Sequence, residues 1–162
     1  QKQKQKQKQK QKQKQKQINR VDYIILEKPD NKIRIQILNL ILSNSNICAG
    51  KIGKLYITKS ITNADIILYS YDDKSKIISF ISSFYKKEKN KIYLDIICSN
   101  EKGGGFKLLT KFIEFIKTKS IDNITLKTIS DETGDLISNY KRWGFELSFK
   151  DCTNNCDMYL GI

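Results

Sequence analysis

The chain has 162 residues, a formal net charge of +13 and no histidine. Its length suits a single domain, and the missing imidazole excludes Ser-His-Asp and Cys-His catalysis and any zinc site built on histidine. Proton transfer must then rely on Asp, Glu, Lys, Tyr, Cys, water or a group of the substrate.

Positions 1–17 alternate Gln and Lys strictly and hold eight lysines. They offer no apolar side chain to a core and repel one another, so a disordered tail is expected there, followed by one domain over 18–162. Without those eight lysines the net charge falls from +13 to +5, and the basic residues that remain are mixed with Asp and Glu. The tail offers any polyanion a sequence-independent, salt-sensitive partner. No stretch reaches the length of about 18 apolar residues that a membrane span needs, and no secretory apolar run stands at the start. A soluble, cytoplasmic monomer or homodimer is expected. Cys48, Cys98, Cys152 and Cys156 are irregularly spaced, so reduced thiols are expected, with a local Cys152 to Cys156 disulfide as the alternative. Two such ligands without a second pair are too few for structural zinc, and no metal is expected.

After the tail, Val21 to Glu27 reads as a strand closed by Pro29-Asp30-Asn31. A helix follows on the spacing of Ile33, Ile37, Leu40 and Ile41, and Ser43 to Asn46 ends it. Nothing between Asn46 and Asn63 identifies a substrate. Three β-rich runs come next, Ile66 to Tyr71, Ile77 to Tyr85 and Lys91 to Cys98, joined by short charged turns that favour antiparallel hairpins. Phe106, Leu109, Phe112, Ile113 and Ile116 then repeat at helical intervals. A strand at Asn123 to Ile129, a helix from Thr133 to Trp143, and strands at Phe145 to Phe149 and Asp157 to Leu160 complete the chain. Hairpins followed by β-α-β-α-β predict an α+β fold whose mixed sheet is antiparallel in its N-terminal half and parallel in its C-terminal half.

Between the third β run and its helix lies Asn100-Glu101-Lys102-Gly103-Gly104-Gly105. Three glycines at a helix start leave main-chain N–H groups unobstructed where the helix dipole favours an anion, and Lys102 and Lys107 add positive charge. A P-loop is excluded because Gly105 is followed by Phe106, and a dinucleotide fingerprint is excluded because its last glycine is replaced by Leu108. On the loop alone, a connector without a ligand stands beside the anion site.

The run Asn100-x-x-Gly103-x-Gly105, followed forty positions later by Tyr140-Lys141-Arg142-Trp143-Gly144-Phe145, resembles the GNAT superfamily of N-acyltransferases. That family shows Gln or Arg, x-x-Gly-x-Gly/Ala, and then Tyr-x-x-x-Gly-Phe. The order, the separation and the preceding hairpins match over roughly residues 21 to 162. Asn100 stands where Gln or Arg is usual, and Thr133 where Asn is frequent. The resemblance implies acetyl-CoA as co-substrate, with pantetheine paired to the backbone at Ile96, Ile97 and Cys98. It also implies a pyrophosphate held by Asn100 and by the amides of Lys102, Gly103, Gly104, Gly105, Phe106 and Lys107, with Thr133 nearby. Tyr140 is the implied general acid toward the CoA thiolate, and a primary amine on a small molecule or peptide is the acceptor. Asp95, the carboxylate within the apolar strand, is the candidate base; Glu101 flanks the loop. Two other readings remain, a module of this fold that binds acyl-CoA without turnover and a polyanion-binding protein armed by its tail.

Overall fold

The computed structural model describes residues 2–6, 22–43, 52–86, 90–101, 103–128, 135–153 and 155–162. Residues 2–6 are helical and exposed where irregular chain was expected; Gln and Lys are both good helix formers. The domain begins with β1 (Asp22–Glu27), α1 (Asn31–Ser43), α2 (Lys54–Asn63), β2 (Ile66–Tyr71), β3 (Ile77–Lys86) and β4 (Lys91–Ser99). It continues with α3 (Gly104–Lys117), β5 (Asn123–Lys127), α4 (Asp135–Arg142), β6 (Glu146–Leu147) and β7 (Asp157–Gly161).

The strands form one seven-stranded sheet in the order β1-β2-β3-β4-β5-β7-β6. Short connections make β2, β3 and β4 antiparallel neighbours, β1 pairs antiparallel with β2 after the two intervening helices, and the α3 crossover sets β5 parallel to β4. The C-terminal half departs from the expected parallel arrangement: β7 returns from β6 by a short loop and inserts antiparallel between β5 and β6. Among the described residues, parallel hydrogen bonding is therefore confined to β4 and β5.

Each face of the sheet carries its own core. On one side Ile66, Leu68, Ile81, Ile92, Leu94, Ile124, Leu126 and Met158 pack with Leu108, Leu109, Phe112 and Ile116 of α3 and with Tyr140 and Phe145. On the other, Ile67, Phe80, Ile96 and Cys98 meet Ile37 and Ile41 of α1 and Ile57 and Ile61 of α2. Leu40, read as part of the apolar face of α1, is exposed instead. Helix α2 lies in the stretch where no element was expected. Its β-branched residues weaken the helical signal, and burial of Ile57, Ser60 and Ile61 against the sheet overrides that weakness. Arg34 joins the two helices to the sheet end, its guanidinium donating to the carbonyls of Pro29 (2.8 Å), Ile61 (3.0 Å) and Ala64 (2.6 Å).

The expectation of reduced thiols is overturned. Cys152 and Cys156 are disulfide-bonded, their Cα atoms brought to 5.7 Å by the loop between β6 and β7, a spacing that suits a bridge. Cys98 is disulfide-bonded as well. Disulfides are the pairing that oxidising surroundings favour, so the cysteines no longer support a reducing compartment. Among the described residues no helix is long and apolar enough to cross a membrane.

Candidate active site

Strand β4 is interrupted at Asp95. In the β3 register Ser82 faces Ile96 and the next residue, Ser83, faces Leu94, so Asp95 is the extra residue of a β-bulge. A one-residue insertion reverses the side-chain alternation beyond it. Ile92 and Leu94 accordingly face α3, whereas Ile96 and Cys98 face α1 and α2. The same bend ends the pairing with β5, whose last partner on β4 is Leu94, opposite Leu126. From Asp95 to Ser99, β4 runs on without a β5 partner among the described residues, leaving main-chain groups open along that edge.

Beside this opening lies a cavity of about 250 Å³, reached by Ile97 and Ser99 of β4, Gly103 and Gly105 of the loop, and Tyr140 and Trp143. The glycines determine the loop's course. Gly103 takes φ +76° and caps α3, a left-handed conformation for which glycine is suited. A Cβ on Gly104 would stand 2.1 Å from Ser99 Oγ, and one on Gly105 would stand 3.3 Å from the Trp143 ring. The first turn of a helix leaves four N–H groups without intrahelical acceptors. Gly104 N–H donates to Glu101 O (3.0 Å) and Lys107 N–H to Gly103 O (3.4 Å). Those of Gly105 and Phe106 remain without an acceptor among the described residues, at the cavity. Glu101 also lines this space, its N–H bonded to Ser99 Oγ at 3.1 Å.

Tyr140 is 9% exposed and sits edge-on to Trp143 (5.4 Å between ring centroids) and Phe145 (5.6 Å). Burial pushes its phenol up to about 12. Phe106, read as part of the α3 core face, is 51% exposed and leans on Trp143; the core face runs instead through Leu108, Leu109, Phe112 and Ile116. Asn100 is exposed, absent from the cavity lining, and donates its main-chain N–H to Ile78 O at 2.9 Å. Ile96 and Cys98 point into the second core, leaving only their main chain for the edge. Lys102 and Thr133 lie outside the described residues. Ser99, Leu136 and Asn139 join the cavity lining without having been singled out in the sequence.

Asp95 is held on the opposite face from Tyr140. Tyr56 of α2 donates to its Oδ1 at 2.6 Å and Ser60 to its Oδ2 at 2.6 Å, and Ser60 Oγ lies 2.5 Å from Ser82 Oγ. The bond to Asp95, followed by burial, raises the Tyr56 phenol well above its usual range. Because α2 was missed, neither hydroxyl was visible as a partner. Among the described residues no cluster of Cys, Asp and Glu is arranged to hold a metal ion.

A mixed sheet opened at a bulged strand, a glycine-started helix beside the opening and a buried tyrosine across the cavity together define the fold of the GNAT acetyltransferases. An acyl-CoA N-acyltransferase from Pseudomonas aeruginosa matches it at TM-score 0.65 and 12% identity, over 87% of this chain and 99% of that one. An acetyltransferase of the GNAT family from Staphylococcus aureus matches at TM-score 0.59 and 19% identity, over 86% and 99%. The PaiA N-acetyltransferase from Thermoplasma acidophilum, in complex with coenzyme A, matches at TM-score 0.57 and 17% identity, over 87% and 99%. No family model matches the sequence, and a search of curated proteins finds no match to it.

Proposed function

We propose that the chain is an N-acetyltransferase that moves an acetyl group from acetyl-CoA to a primary amine by direct transfer. The observation that carries the reading is the junction of three features in one place: the β4 edge after Asp95 and the N–H groups of Gly105 and Phe106, all without partners among the described residues, and Tyr140 beside both. These residues fit the co-substrate. Two amides at a helix start suit a diphosphate, and an open strand edge suits the amides of a pantetheine arm.

Acetyl-CoA supplies an acyl group already activated as a thioester. The chain's own part is to hold and to move protons. Raised to about 12 by burial, the Tyr140 phenol keeps its proton through the neutral range and can deliver it to the departing sulfur. Asp95, steadied by Tyr56 and Ser60, faces the other side of the opening, where it is positioned to take the proton that the amine must lose. Acid and base thus stand on opposite faces of one sheet, on either side of the β4 bulge.

The test is an acceptor screen monitored by release of the CoA thiol, run beside a titration with desulfo-CoA. Tyr140→Phe should lower turnover by about 10²-fold or more, the scale of lost general acid catalysis, while leaving desulfo-CoA affinity nearly unchanged. Unchanged turnover would move the acid role elsewhere. Absence of binding by acetyl-CoA and desulfo-CoA alike would overturn the cofactor assignment.

A further inference from the structure

Asp95, the extra residue of the β4 bulge, has no partner on β3 in the register. A bulged residue lies outside the ladder, so side-chain bonds set the direction of its carboxylate. Both bonds come from α2: Tyr56 donates to Oδ1 and Ser60, one helical turn later, to Oδ2, each at 2.6 Å. The two donors differ in exposure. Tyr56 is 45% exposed, whereas Ser60 is buried and Ser82 of β3, 2.5 Å behind it, is fully enclosed. Water can replace the phenol but cannot reach the serines.

The protons of this buried pair can be counted. Ser60 has one hydroxyl proton, and its bond to Asp95 uses it. The contact between Ser60 Oγ and Ser82 Oγ is then a donation from Ser82. The opposite order would withdraw the proton from Asp95 and leave the Ser82 hydroxyl buried with no other acceptor among the described residues, an unfavourable state. Two hydroxyls in series therefore point at one carboxylate oxygen and polarise one another. Helix α2 also shows what Ser60 would otherwise do. Thr58 and Thr62 turn their hydroxyls back onto the carbonyls four residues earlier, Lys54 O at 2.8 Å and Thr58 O at 2.6 Å, a common habit of such side chains in helices. Ser60 stands between them and forgoes the equivalent bond to Tyr56 O, aiming its hydroxyl at the sheet.

We infer that Ser82 is a positioning residue for Asp95: its hydroxyl, bonded to Ser60, keeps Ser60 turned toward the sheet and thereby fixes the carboxylate at the bulge. Ser82 touches no reacting atom and acts through Ser60 alone. Its value to catalysis rests on the proposed reading of Asp95 as the base, whereas its hold on the carboxylate stands apart from that reading. Without Ser82, Ser60 swings to the Tyr56 carbonyl, Oδ2 loses its donor, and Tyr56 alone holds the side chain.

The experiment observes the Asp95 carboxyl carbon by NMR in the full chain, assigned through Asp95→Asn, and measures acetyl transfer by the same variants. Ser82→Ala should move that signal in the same direction as Ser60→Ala does. The double variant should sit with Ser60→Ala, since a residue that acts through another adds nothing once that other is gone. Ser82→Cys, which fills nearly the same space with a weak donor, should behave as Ser82→Ala and so separates the bond from the volume. Ser83→Ala is the matched control: Ser83 is the next residue of β3, equally enclosed, with its hydroxyl on Ile66 O at 3.0 Å, and its loss should leave the signal in place. In turnover, Ser60→Ala, Ser82→Ala and their combination should each lower kcat about fivefold, the scale of one hydrogen bond, with KM for acetyl-CoA unchanged. A signal unmoved by Ser82→Ala, moved as far by Ser83→Ala, or moved additively in the double variant would overturn the inference. A moved signal with kcat unchanged would keep the hold of Ser82 on Asp95 and remove Asp95 as the base. A moved signal with no transfer to any amine by the parent would keep that hold and defeat the proposed reaction.

Discussion

Replacing Gly104 by alanine probes the loop more sharply than any change of a functional group, because the geometry separates its effect from those of its neighbours. The new Cβ would stand 2.1 Å from Ser99 Oγ, 3.1 Å from Glu101 Cβ and 3.2 Å from Ser99 Cβ. Rotation of the Ser99 hydroxyl relieves the first contact but gives up its bond from Glu101 N–H, at about 1 kcal/mol. The two carbon contacts then demand a backbone shift, and overpacking of this kind costs about 1–3 kcal/mol. Together these destabilise the domain by roughly 2–4 kcal/mol, or a fall of roughly 6–12 °C in Tm for a chain of this size. Gly105→Ala meets only the edge of Trp143, at 3.3 Å. It should cost little in Tm yet weaken desulfo-CoA binding, since the added methyl group stands at the cavity wall. Differential scanning calorimetry and isothermal titration measure the two effects. If Gly104→Ala melted with the parent, the Ser99 to Gly104 contact would not exist and the assigned course of the loop would be wrong.

Two further outcomes follow from buried or bridging side chains. Because the Tyr140 phenol titrates near 12 in the folded chain but near 10 when unfolded, its contribution to stability is intact below pH 10. It is lost as pH rises toward 12, where the unfolded state releases the proton first, and the loss is at most about 3 kcal/mol. Urea titrations of parent and Tyr140→Phe from pH 9 to 11 should show a shallower decline in the variant, and an identical decline would contradict the burial. Arg34→Lys should destabilise the domain by about 2 kcal/mol, because a single ammonium cannot reach the three carbonyls that the guanidinium spans; a Tm equal to the parent's would contradict that bridging role.

Much of the architecture was legible because strands write their burial into short apolar runs. β2, β3 and β4 fall within a residue or so of the segments read from the sequence, and the charged turns between them gave the antiparallel pairing. Helix α2 was not legible, since Lys54–Asn63 is rich in Ile and Thr and gains its helical form from packing rather than from propensity. The placement of β7 between β5 and β6 follows from one short loop, which composition does not reveal. Within the site, the glycines and Tyr140 stood out as punctuation and as a spaced motif. Phe106 did not, because its helical spacing matched a core face offset from the real one. The partners of Asp95 were hidden by the same missed helix, and no residue type in Tyr93-Leu94-Asp95-Ile96-Ile97 announces an extra residue in the ladder.

That extra residue makes the length of β4 a chemical variable. Shortening the strand by one position at Asp95 would restore regular alternation while leaving Ile96 toward α1 and α2 and Ile97 toward α3, so neither core would register the loss. The loop glycines and Tyr140 would survive such a deletion untouched, yet a regular β4 would let the ladder to β5 run on past Leu94 and close the open strand edge. A sequence could therefore keep every recognisable signature and still lose its purpose through a single missing codon.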